Sequence, residues 1–180
     1  EQVDVNPDVA YAGMSILKIP IVASTYILWD KEPFGDTAVV VEKTILQSSN
    51  INANILLMEL GEGDMERGAQ VLSEDVSKLG LVNTFMAGYY DQESIPPDVI
   101  TPANQRTDVN TEPDPFMQTT PADIASLLTM IYQCATNGGG AFRVVFPDLI
   151  TQKECQDIIK LLSNNKIATL IEAGVPEGTV

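Results

Sequence analysis

Ser15 and Lys18 stand three residues apart in Gly13-Met14-Ser15-Ile16-Leu17-Lys18-Ile19-Pro20, at the head of a long apolar run. On a helix, positions i and i+3 share one face with Cβ atoms about 5–6 Å apart. A lysine so placed holds its amine against the serine hydroxyl, and an unprotonated amine can take the hydroxyl proton. The pair matters here because the chain contains no histidine. Ser-His-Asp and Cys-His machinery is excluded within it, and its two cysteines cannot by themselves supply a zinc site. Proton transfer is left to Lys, Glu, Asp and Tyr, so Ser–Lys chemistry is the natural candidate.

The spacing alone carries little, because a chain of this length meets S-x-x-K about once by chance. Ser163-Asn164-Asn165-Lys166 repeats it at a helix-to-helix junction, where Ser-Asn-Asn is ordinary turn chemistry. Context separates the two copies. Ser15 sits where a helix begins, so its hydroxyl and N–H lie at the positive end of the dipole, suited to a developing oxyanion. Lys18 is set among Ile16, Leu17, Ile19 and Ile21, and apolar surroundings lower an amine's pKa. The plainer alternative is a lysine that snorkels from an amphipathic helix.

The chain's 180 residues amount to one domain, and 44% of them are hydrophobic, ample for a core. A net charge of −15 argues against nucleic-acid backbones and anionic membranes as partners. No run reaches transmembrane length, since Ile16 to Trp29 is broken by Lys18, Pro20 and Ser24. Glu1 is an odd first residue, and a processed or trimmed product is expected. Cys134 and Cys155, in two predicted helices, are either buried thiols or a staple between them; their spacing does not decide.

Helical periodicity dominates, so the fold class is mainly α. Helices are expected over 15–30, with a bend at Pro20; over 37–47, capped by Asp36; over 50–60; and over 64–78, stopped by Gly80. Thr120-Pro121-Ala122-Asp123 opens another that ends at Asn137-Gly138. Thr151-Gln152-Lys153-Glu154 is a capping box opening a helix to about 162, and a short helix follows over 165–173. Strand signals are confined to 2–5 and 143–146. The segment 88–119, rich in proline and polar residues, reads as a long loop that is either functional or disordered.

Ser48-Ser49-Asn50 precedes an apolar helix and on its own is an ordinary cap. Taken with Ser15–Lys18, it resembles the S-x-x-K plus S-D-N pattern of the class A β-lactamases and penicillin-binding proteins. Thr119-Thr120-Pro121 with Asp123 is similar to the segment after the Ω-loop of class A β-lactamases, and Gly174-Val175-Pro176-Glu177-Gly178-Thr179 is similar to the turn before their K-T-G strand. All four elements keep the family's order along 1–180. The resemblance implies a single helical domain of the α/β serine β-lactamase fold. It assigns Ser15 as acylated nucleophile, Lys18 as proton acceptor, Ser48 as proton relay and Asn50 as substrate contact, with no metal or cofactor.

Three departures qualify it. The Ser15–Ser48 interval is short, so one wall of the cleft is reduced. The Ω-loop glutamate has no clean match; Glu112, with Asp114 behind it, is nearest, which puts fast deacylation in doubt. The chain ends before the expected K-T-G strand, so most of the sheet domain is absent and the chain is expected to be an inactive portion of a longer protein.

The leading expectation is therefore a serine hydrolase attacking a β-lactam or peptidoglycan-like amide. Its alternatives are a non-hydrolysing penicillin- or cell-wall-binding module of the same fold, and an acidic helical interaction domain. The resemblance implies a bacterial, extracytoplasmic site, and that compartment favours pairing of Cys134 with Cys155.

Overall fold

The computed structural model describes residues 5–29, 33, 35–93, 97–109 and 111–164. The expected helix at 165–173, the Gly174–Thr179 turn, Lys166 and all but the last residue of the 2–5 strand lie outside them. The described residues are mainly helical. A strand β1 (Tyr11–Ala12) leads into a 3₁₀ turn (Met14–Leu17), then α1 (Lys18–Trp29), α2 (Asp36–Leu46), α3 (Asn50–Leu60) and α4 (Met65–Lys78). After β2 (Phe85–Met86) and β3 (Met117–Thr119) come α5 (Pro121–Asn137), α6 (Ala141–Val145) and α7 (Gln152–Ser163). The strands form one antiparallel sheet in the order β1–β3–β2.

α1 is central because it has no polar face. Every residue from Pro20 to Ile27 is buried, as expected of a helix apolar all round, and α2, α3, α4 and α7 pack on it. Leu17, Ile21, Leu56, Leu57, Leu72, Leu127 and Ile131 are all but inaccessible, each contributing about 2 kcal/mol relative to exposure. α3 and α4 approach closely at Gly68, where a Cβ would stand 1.8 Å from the Leu57 carbonyl oxygen. Only glycine permits that separation.

Capping follows the expected chemistry at several ends. Asp64 Oδ1 accepts from the N–H groups of Glu66 and Arg67, Thr120 Oγ1 from Asp123 N, and Thr151 and Glu154 form the capping box. Gly138 closes α5 in the left-handed region, φ +65°. α1 starts at Lys18, so Pro20 lies in its first turn, directly after the 3₁₀ turn, where its missing N–H has no acceptor within α1 to lose. α2 starts at Asp36 itself, after Gly35. The expected strand at 143–146 is instead the end of α6, with Phe142 and Phe146 buried and Val144 exposed. That is a four-residue spacing, not an alternation.

α5 and α7 carry the disulfide Cys134–Cys155, with Cα atoms 5.8 Å apart and both side chains fully buried. The alternative left open by spacing is closed in favour of the staple.

Candidate active site

Two chain reversals build the site. Gly13 N–H donates to Met117 O at 2.9 Å, and β1 pairs with β3, so the sheet fixes the start of the 3₁₀ turn that carries Ser15. The other reversal joins α2 to α3. There Ser49, not Ser48, caps α3, its Oγ accepting from Asn52 N at 3.3 Å. Ser48 is released from capping and held at φ +51°. Met14, just before Ser15, is also left-handed, at φ +44°. Such conformations cost a non-glycine residue about 1–3 kcal/mol and cluster at functional sites.

The four residues singled out by motif converge. Lys18 Nζ donates to Ser15 Oγ at 3.0 Å, Ser48 Oγ at 3.2 Å and Asn50 Oδ1 at 2.8 Å. Ser48 Oγ donates to Ser15 Oγ at 2.7 Å. Lys18 is 2% exposed while Ser15 is solvent-accessible, so the amine is enclosed and the hydroxyl is presented. Three acceptors match the three donors of an ammonium group. Burial is the larger influence on that group and pulls its pKa below the ordinary lysine value; the Asp91 carboxylate acts in the opposite direction. Once the proton leaves, the Ser15–Lys18 bond can reverse and the serine becomes the donor.

Glu112 is not among the hydrogen-bond partners of these residues. It is exposed, at φ +46°, beside Thr111, whose hydroxyl donates to Ala10 O. The carboxylate at the site is Asp91, which accepts from Asn50 Nδ2 at 3.3 and 3.4 Å. Its neighbour Tyr90 is buried, with its ring 4.5 Å from Lys18 Nζ and its hydroxyl donating to Met14 O at 2.9 Å. Burial raises the phenol's pKa well above its ordinary value, so it remains a neutral donor.

Asn54, one turn along α3 from Asn50, holds this loop by its backbone. Its Nδ2 donates to Tyr90 O at 2.9 Å and its Oδ1 accepts from Tyr90 N at 3.0 Å. Sequence reasoning passed over Tyr90 and Asp91. The usable signal was the pair of asparagines four apart on an apolar helix, since half-buried amides need partners from elsewhere in the chain.

Beside Ser15 the surface opens into an apolar groove of about 880 Å³ lined by Tyr11, Met14, Ile16, Pro121, Ile124 and Leu128, among others. Behind it, Asp123 Oδ2 accepts from Asn83 N and Thr84 Oγ1, both at 2.9 Å, anchoring the start of α5. Among the described residues there is no acidic, cysteine or histidine cluster able to hold a metal ion.

A sequence model of the β-lactamase enzyme family matches residues 36–180, and the chain belongs to that family. The match includes Ser48, Asn50 and Asp91 and begins after Ser15 and Lys18. The solved β-lactamase of Desulfarculus baarsii is similar over 99% of this chain and 64% of its own, at 17% identity and a TM-score of 0.66. An ancestral class A β-lactamase matches at 18% identity, 99% and 66% coverage, and a TM-score of 0.64. The β-lactamase of Sphaerobacter thermophilus matches at 19% identity, 99% and 65% coverage, and a TM-score of 0.63. These likenesses establish the fold: this chain is mainly helical and spans less than two thirds of each solved chain. No curated protein matches it.

Proposed function

We propose that this chain carries the acylating centre of a β-lactamase-like serine hydrolase acting on a β-lactam or a related cell-wall amide. The observation that carries the reading is the closed triangle of Ser15, Lys18 and Ser48 around a buried amine. Neutral Lys18 takes the Ser15 proton as Oγ attacks the amide carbonyl carbon. The Ser15 N–H, in the first turn and without an acceptor inside it, faces the developing oxyanion. The proton then passes from Lys18 through Ser48 Oγ to the leaving nitrogen as the C–N bond breaks, and Asn50 orients the substrate amide. The remaining third of a β-lactamase-length chain completes the cleft, and the groove beside Ser15 admits an apolar substituent.

The site faces the exterior of a bacterial cell in this reading, where the Cys134–Cys155 bond persists and β-lactams arrive. Among the described residues no helix is long and apolar enough to cross a membrane.

A second reading, a penicillin-binding protein that acylates and hardly turns over, is favoured by one feature. Asp91 is engaged with the Asn50 amide and touches neither Ser15 nor Lys18. The two readings differ in the fate of the acyl-enzyme. A mass time course of the full-length protein with benzylpenicillin should show the adduct rise and fall if it is a hydrolase, and Asp91→Asn should slow the fall by about 10²-fold or more if Asp91 is the base for water. An adduct that persists in both proteins establishes the binder.

A further inference from the structure

We infer that Tyr90 is a positioning residue for the nucleophile, setting the Met14–Ser15 backbone with its hydroxyl and the Lys18 amine with its ring. The inference rests on the reading of Lys18 as the proton acceptor of Ser15. Three observations converge on this one side chain. Tyr90 Oη donates to Met14 O at 2.9 Å, across 76 positions of sequence. Met14 is the residue immediately before the nucleophile and stands at φ +44°, a conformation that residues with a Cβ seldom adopt. The Tyr90 hydrogen bond fixes the orientation of the Met14–Ser15 peptide, and with it the direction of the Ser15 N–H and Oγ.

The same ring lies 4.5 Å from Lys18 Nζ. The amine's three hydrogen-bond acceptors are Ser15, Ser48 and Asn50, and the ring presents a π face to it as a further neighbour, which favours the cation. Among the described residues, the charged or titratable groups facing Lys18 are Tyr90 itself and Asp91 on the same loop; Asn50 and Ser48 from the α2–α3 reversal are neutral. Tyr90 is in turn held by both of its backbone polar groups to Asn54. Tyr90 as a whole is only 5% exposed, so its ring is enclosed beside the amine. A tyrosine serving only to fill the core would use neither its hydroxyl nor its face on the reacting pair.

Two variants separate the two functions of the side chain in the full-length protein. Tyr90→Phe keeps the ring and loses the hydroxyl; Tyr90→Leu keeps an apolar side chain over the amine and loses the π face. The titration of Lys18, followed by the NMR shift of its ¹³C-labelled ε carbon, needs no turnover. Its midpoint should be unchanged in the Phe variant and should move to lower pH by about half a pH unit in the Leu variant.

The rate of Ser15 acylation by benzylpenicillin should fall about tenfold in the Phe variant, with the same pH profile, because the serine is misdirected while its base is untouched. A Leu variant titrating at or above the parent midpoint, or a Phe variant acylating at the parent rate, overturns the inference. If the parent protein forms no adduct, the acylation reading fails while the titration still decides the role of the ring. If the Leu variant does not fold, the Phe comparison decides the role of the hydroxyl.

Discussion

Lys18→Met in the full-length protein is expected to lower the rate of Ser15 acylation by about 10³-fold while leaving the melting temperature unchanged or higher. Loss of a general base typically costs about 10²–10⁴ in rate, and there is no histidine in this chain to substitute. Methionine fills nearly the volume of the lysine stem, so the contact with the Tyr90 ring survives. The stability half of the result follows from linkage. The Lys18 amine titrates below its ordinary value in the folded chain because burial penalises its charge. Between the folded and unfolded pKa values the unfolded chain therefore binds more protons, and stability rises with pH across that window. Below the window the charged, enclosed amine is a standing cost.

Methionine removes that cost, so the variant's advantage should be largest at low pH and shrink as pH climbs toward the ordinary lysine value. Stopped-flow acylation together with melting curves at several pH values checks both halves. A variant that acylates within tenfold of the parent, or that melts well below it, would show that Lys18 is a structural ion and not the base.

Reduction of the Cys134–Cys155 disulfide is expected to cost about 3 kcal/mol, the chain-entropy value for a closed loop of this size. The bond joins α5 to α7, which pack extensively on one another around Leu127, Ile131 and Ile158. Both sulfurs are inaccessible, so reduction should need partial opening of this helix pair. Against a typical total of about 5–15 kcal/mol, the loss is large. For a chain of this size it corresponds to a fall in melting temperature of about 6–12 °C. Melting with and without a strong reductant, and of a Cys134→Ala/Cys155→Ala double variant, measures it. Equal melting temperatures would show that the helix pair holds itself together by packing alone.

The parts of this molecule legible in its sequence are those where one local pattern suffices. Thr120-Pro121 and the Thr151–Glu154 box mark helix starts because capping is decided within four residues. Ser15, Lys18, Ser48 and Asn50 were legible as two motifs, and their ordered companions supplied the family. That they meet around one amine is a tertiary fact, made by the short α2–α3 reversal in which Ser49 takes the cap and frees Ser48. Asp91 and Tyr90 were not legible, because their segment has no periodicity and is placed by Asn54, 36 residues away. Glu112 was singled out as the nearest match to the family's Ω-loop glutamate, and it lies outside the hydrogen-bonded cluster around Lys18. The strands escaped notice for a simpler reason. At two or three residues each, they are too short to show alternation.

We propose Ser15 as the acylated nucleophile. Peptide-level mass spectrometry of the full-length protein after brief exposure to benzylpenicillin tests it most directly. The expected result is one adduct of the intact drug's mass on the peptide containing Ser15, absent in Ser15→Ala and formed much more slowly in Lys18→Met. An adduct on Ser48 or elsewhere, or one that survives Ser15→Ala, would contradict it.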